Sequence, residues 1–159
     1  MSFRSMKHLA AATLCLAAVA LPAHADNLNA SLTTVPQAWV GNVAQNILLT
    51  TGGSTFVSFG NPLGGIVSVT YTAECQLIAS PTSWLHVTVL IDNIVAAPSG
   101  PDAAFCSGRG AGVQGGWARQ SVTVSRLLAS GVHSVRVVGQ VAGFHTGARL
   151  DDTTILIER

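Results

Sequence analysis

From residue 26 to the C-terminus the apolar residues recur at every second position in short runs, and helical spacing is nearly absent. Period two is the repeat of a pleated strand, so this pattern constrains the fold more than any single residue does. Candidate strands are Val35–Val40, Asn46–Thr50, Thr55–Phe59, Ile66–Leu77, Trp84–Ile91, Ile94–Ala96, Gln120–Leu128, Val132–Val141 and Arg149–Glu158. Between them fall Thr51-Gly52-Gly53, Asn61-Pro62, Ser80-Pro81, Asp92-Asn93, Pro98–Pro101, Ser107–Gly116, Ser130-Gly131 and Gly143–Gly147. Short strands cut by such punctuation define an all-β fold, an antiparallel β-sandwich or barrel.

The longer strands also say which face is covered. Leu85, Val87, Val89 and Ile91 are apolar without exception, whereas Trp84, His86, Thr88 and Leu90 are mixed. His133, Val135 and Val137 alternate with Ser134, Arg136, Val138 and Gln140, and the second set reads as wet. Thr153, Ile155 and Ile157 alternate with Thr154, Leu156 and Glu158. Asp92-Asn93 between two apolar runs predicts a type I′ hairpin turn, because both residues tolerate positive φ. Val124–Gly131 is the one stretch with room for a short helical turn, and Asp26–Thr34 reads as a loosely held leader.

The first 25 residues have a different logic. Arg4, Lys7 and His8 precede an apolar run of 13 residues from Leu9 to Leu21, then Pro22 and Ala23-His24-Ala25. A basic start, a short apolar stretch and small residues before a cleavage point form a secretory signal peptide. Thirteen apolar residues are too few for a transmembrane helix, which takes about 20. The expected organisation is therefore a cleaved signal at 1–25 and one sandwich domain at 26–159, secreted or periplasmic. No second long apolar run follows, so no transmembrane segment is expected.

Export gives the cysteines a meaning. Cys15 leaves with the signal, and Cys75 and Cys106 remain as an even pair in an oxidising compartment. A bridge closing a loop of about 30 residues stabilises by roughly 3–4 kcal/mol in the chain-entropy model. The remaining chain has six Arg against seven Asp and Glu and no Lys. It offers no basic surface for nucleic acid.

Ser130-Gly131-Val132-His133-Ser134-Val135-Arg136-Val137, followed by Arg149-Leu150-Asp151-Asp152-Thr153-Thr154-Ile155-Leu156-Ile157-Glu158, resembles the last two strands of C1q/TNF-type jelly rolls. In bacterial and phage relatives of that fold a small-Gly-x-His turn enters a long strand, and the chain ends in a Leu-rich one. The resemblance implies a jelly roll and a trimer, and it carries no catalytic residues with it. The aromatic spacing of C1q heads is not evident here.

Catalytic and metal chemistry is thinly represented. His86 and His133 lie in strands where a two-His metal site would require them to approach, while His145 falls among turn residues. Neither a His-x-His pair with a downstream acid nor a His-Glu-x-x-His is present. Glu74 and Asp92 would form a glycosidase pair only if their strands converged. Asp151-Asp152 with Asp102 and backbone carbonyls would offer oxygen ligands for Ca²⁺, without an Asp-x-Asp-x-Asp-Gly loop behind them. No cofactor is otherwise implied. The stretch Gly108–Trp117 lacks the flanking strand, helix and Lys of a phosphate loop, and reads as a surface loop carrying Trp117, Arg109 and Arg119 as candidate ligand-binding residues.

The expected function is non-catalytic: binding, or a structural interaction, outside the cytoplasm. A carbohydrate-binding module is the first alternative and a small secreted hydrolase the second. The expected partners are further copies of the chain, a carbohydrate or a surface protein. Low charge and abundant apolar residues favour self-association, with a trimer as first choice.

Overall fold

In a computed structural model of the chain, residues 25–39, 42–78, 83–99, 104–107, 116–143 and 147–159 are described. Among them every regular element is a strand: β1 (Asn27–Thr33), β2 (Gln37–Trp39), β3 (Gln45–Asn46), β4 (Phe56–Asn61), β5 (Gly65–Ile78), β6 (Trp84–Ile91), β7 (Ile94–Val95), β8 (Ala104–Ser107), β9 (Ala118–Leu128), β10 (Gly131–Ala142) and β11 (Gly147–Glu158). All pairings are antiparallel.

One sheet runs β1-β11-β5-β9, with β2 also on β11; the other runs β3-β10-β6-β7, with β4 also on β10 and β8 also on β6. The pairs β1/β2, β3/β4 and β7/β8 therefore each act as one interrupted strand. Counted so, eight strands lie in the orders 1-8-3-6 and 2-7-4-5, the alternation between two sheets that makes a jelly roll.

Period-two burial runs through both sheets, as the sequence predicts. In β6, Leu85, Val87, Val89 and Ile91 point into the core; in β10, Val135, Val137 and Val141 do; in β11, Thr153, Ile155 and Ile157 do. Beside β11 in the first sheet, β5 adds Val67, Val69, Tyr71, Ala73, Cys75 and Leu77 to the core. The Tyr71 and Phe105 rings meet at 5.3 Å between centroids. Burial pushes the Tyr71 hydroxyl well above its ordinary pKa, against a smaller opposing effect of the Thr153 hydroxyl. Neither hydroxyl makes a hydrogen bond of ordinary geometry.

The Cys75–Cys106 disulfide is formed, with the two Cα atoms 6.4 Å apart. It ties the centre of one sheet to the edge strand of the other. The Asp92-Asn93 turn is also as expected, with φ of 53° and 62°.

Three expectations change. Asp26–Thr34 is no loose leader: β1 pairs with β11 from Asn27 to Thr33, and the Asp26 and Arg159 backbones exchange hydrogen bonds of 2.9 and 3.0 Å. Its Asn, Ser and Thr residues suit an edge strand with one wet face, a polarity that hides strand from a periodicity reading. Val124–Leu128 stays extended, and the turn is confined to Ala129-Ser130. Ala104–Ser107 forms a strand that no expected segment covered; β6 and the disulfide hold it in place.

Side chains complete the interrupted strands. Gln37 acts as a substitute ladder, donating from Nε2 to the Leu48 carbonyl (3.0 Å) and accepting at Oε1 from the Leu48 N–H (2.6 Å). Ile47 and Leu49 on either side are thereby held in the core although β3 ends at Asn46.

Candidate functional site

The strand ends separate two kinds of connection. At one end, β4–β5, β6–β7 and β9–β10 turn through 62–64, 92–93 and 129–130. At the other, 40–44, 79–83, 108–117 and 143–146 join β2 to β3, β5 to β6, β8 to β9 and β10 to β11. Concave surface lies at this second, loop end.

The larger concavity is an open trough of about 480 Å³ on the outer face of the second sheet. Alternation on β6 turns His86 and Thr88 outward, and the β10 register sets Gln140 opposite His86 and Val138 opposite Thr88. Ala142 and Gly143 continue the floor, and Asn42 forms a wall that Gln140 fixes by donating from Nε2 to its carbonyl at 2.9 Å. His86 Nε2 lies 2.8 Å from Thr88 Oγ1. Among the described residues, no Asp, Glu, Lys or Arg lines this trough. The sequence signal was present, since these residues are the mixed, outward set of their strands, but alternation alone marks a wet face and cannot mark a concave one.

A smaller cleft of about 220 Å³ lies at the disulfide, between Leu77, Phe105, Cys106, Ser107 and Gln120. Gly116 and Ala118 line it, and Trp117 between them is 46% exposed. Arg119 does not face this cleft as a free cation: its Nη2 is 3.4 Å from Glu74 Oε1 and 4.0 Å from Asp152 Oδ2. Arg109 lies outside the described residues, as do Asp102 and His145. Of the three candidate ligand-binding residues, Trp117 is thus an exposed aromatic beside a cleft and Arg119 is committed to an ion pair.

The other polar groups do not assemble as a catalyst would need. His86 pairs with Gln140 and His133 with Phe59, so the two histidines sit towards opposite ends of β10. Glu74 is in β5 of one sheet and Asp92 in a turn of the other. Asp151 Oδ1 accepts from the Asp152 N–H at 2.8 Å, closing a local turn where Asp152 has φ of 45°. Among the described residues no group of three His, Cys, Asp or Glu converges on a metal-sized space.

One acid–imidazole pair does form, and the sequence reading missed it. His133 Nδ1 lies 2.7 Å from Asp92 Oδ2, and its Nε2 lies 3.1 Å from the Ala129 carbonyl. Asp92 Oδ1 also accepts from the Ser134 N–H at 2.9 Å. Burial raises the Asp92 pKa, but the His133 and Ser134 hydrogen bonds, with the His133 and Arg126 charges, outweigh it and hold the carboxyl below its ordinary value. Arg126 itself donates from Nη1 to the Ile91 carbonyl at 2.6 Å. These contacts pin the β6–β7 turn to the β9–β10 turn, so the pair acts as a latch.

No family model matches the chain, and no curated protein does. Among solved structures, it is similar to the EclA C-terminal domain, described as a sugar-binding protein, at 15% identity over 88% of this chain and 86% of that one, with a TM-score of 0.36. What the coordinates themselves define is a two-sheet, disulfide-linked jelly-roll sandwich whose concave surfaces gather at one end. Among the described residues no helix is long and apolar enough to cross a membrane.

Proposed function

We propose that the chain is an exported, non-catalytic binding or structural interaction module of the C1q/TNF-like jelly-roll kind, acting as a homo-oligomer. One observation carries the non-catalytic reading: the acid–imidazole pair is engaged on both ring nitrogens and both carboxylate oxygens, at the end away from the concave surfaces. The jelly-roll strand order supports the resemblance in β10 and β11.

Self-association is supported by near-zero charge and by exposed aliphatic side chains. Ile66 and Leu127 are cross-strand partners on the outer face of the first sheet, and Leu63 in the β4–β5 turn and Val132 at the start of β10 stand 78% and 82% exposed. Apolar exposure of this kind marks interaction surface on a soluble protein. Light scattering on residues 26–159 at low and high salt tests the assembly. A trimer that persists in high salt is expected; a monodisperse monomer at tens of micromolar overturns it.

A second reading, a carbohydrate-binding module, is favoured by the exposed Trp117 beside the disulfide cleft. An aromatic face is a natural platform for the apolar face of a sugar ring. Loss of retention on immobilised polysaccharide in Trp117→Ala, with the fold intact, is its expected signature. Unchanged retention removes Trp117 from the account.

A further inference from the structure

We propose that the trough on the outer face of the second sheet binds a neutral, hydroxyl-rich ligand, a saccharide unit, through Gln140, Thr88, His86 and Asn42. The inference rests on the reading of the chain as a binding module and assigns that module a site and a ligand class.

Size is the first argument. Small-ligand sites occupy about 300–1,000 Å³, and this trough has about 480 Å³. It holds one or two sugar rings rather than a folded partner.

Chemistry is the second. The polar lining consists of a side-chain amide, a hydroxyl, an imidazole and Asn42, groups that both donate and accept hydrogen bonds. A phosphate, carboxylate or ammonium group would find no opposite charge among them. Arg136, the outward cation of β10, sits one row further on, opposite Leu90 and Phe56, and does not line the trough. A polyol matches the lining group for group, since each hydroxyl also donates and accepts.

Preorganisation is the third. His86, Thr88, Val138 and Gln140 stand on paired positions of two central strands. Gln140 is further fixed by its bond to the Asn42 carbonyl, and Thr88 by its contact with His86. Sites built on strands lose less ordering entropy on binding than loop sites do. Val138 and Ala142 provide an apolar floor against which the C–H face of a ring can lie.

The test is calorimetric titration of residues 26–159 with the methyl glycosides of glucose, galactose, mannose and N-acetylglucosamine. Glucuronate and glucosamine serve as charged controls. At least one neutral glycoside binds in the millimolar range or tighter, and each charged analogue binds more weakly. Gln140→Ala and the isosteric Thr88→Val each weaken binding about fivefold or more, an amount worth one good hydrogen bond. Both remain folded, as the amide-shift dispersion of the unliganded proteins shows, although each loses one hydrogen bond on the outer face. Trp117→Ala, at the disulfide cleft, separates the two sites: binding weakened by Gln140→Ala and Thr88→Val more than by Trp117→Ala supports the trough. If binding follows Trp117 and ignores Gln140 and Thr88, the trough assignment falls while the binding-module reading stands. If no saccharide binds at all, the trough proposal falls and the structural reading rests on the oligomer alone. Preference for a charged analogue also overturns the proposal.

Discussion

At the tight-turn end of the sandwich, turns of two or three residues are locked to one another; towards the opposite ends of the strands lie the trough on β6 and β10 and the cleft at the disulfide. Gly64 illustrates the first. Its φ is +68°, and a Cβ there would stand 3.1 Å from the Ser130 N and 3.2 Å from the Ala129 carbonyl carbon. The β4–β5 turn therefore packs directly on the β9–β10 turn, and Asn61 Nδ2 donates to the Ala129 carbonyl between them. The Asp92–His133 latch adds the β6–β7 turn to the same cluster. Towards the other end the disulfide joins the two sheets, and His86, Thr88 and Gln140 stand on the outer face of the second. The tight turns use their polar groups on one another; the trough's polar groups, bonded to near neighbours, also line open surface.

The largest expected effect breaks the loop end. Cys75→Ser or Cys106→Ser removes the bridge and should cost about 3 kcal/mol, read as a lowered urea midpoint. An unchanged midpoint would mean that the core holds β8 without the disulfide.

Next comes the tight-turn end. Gly64→Ala puts a Cβ against backbone in a left-handed conformation and should cost about 1–2 kcal/mol. Thermal melting reads it, with Gly116→Ala at the loop end as the near-neutral control, because nothing lies within 4 Å of a Cβ there.

Asp92→Asn should cost about 1 kcal/mol at neutral pH, a modest figure because the group is largely exposed. The sign follows from its lowered folded pKa. The ionised carboxylate contributes stability above its unfolded pKa, and this is lost as pH falls through the still lower folded value. Parent and variant curves should thus converge as pH drops below about 4. Curves that stay parallel would show that the carboxylate charge contributes nothing to the latch.

The smallest expected change is in the core between the two ends. Tyr71→Phe removes a buried hydroxyl that lacks an ordinary partner, so stability should hold or rise by up to about 1 kcal/mol. A clear loss would reveal a bond between Tyr71 and Thr153.

The same contrast explains what the sequence could say. Strands with a strict apolar face, such as Trp84–Ile91, were legible to the residue, and Asp92-Asn93 announced its turn because positive φ narrows the choice of residues. The disulfide was legible from parity and compartment. Edge strands were not: β1 is polar on its wet side, and β8 takes its extension from β6 and Cys75 rather than from its own Ala-Phe-Cys-Ser. The latch was half legible, since Asp92 read as a turn residue and His133 as a strand residue 41 positions away. The trough was legible only as polarity. Its concavity depends on where Asn42 and Gly143 fall relative to two strands, and no local pattern records that.

Amide shift mapping of uniformly labelled residues 26–159, titrated with the neutral methyl glycosides, tests the central claim most directly: recognition at the loop end, structure at the other. The account predicts perturbations concentrated at Asn42, His86–Thr88 and Val138–Gly143, no change at Asp92, Ala129–His133 or Gly64, and no chemical conversion of the glycoside. Perturbations centred on the Asp92–His133 turns, or hydrolysis of the glycoside during the titration, would contradict it.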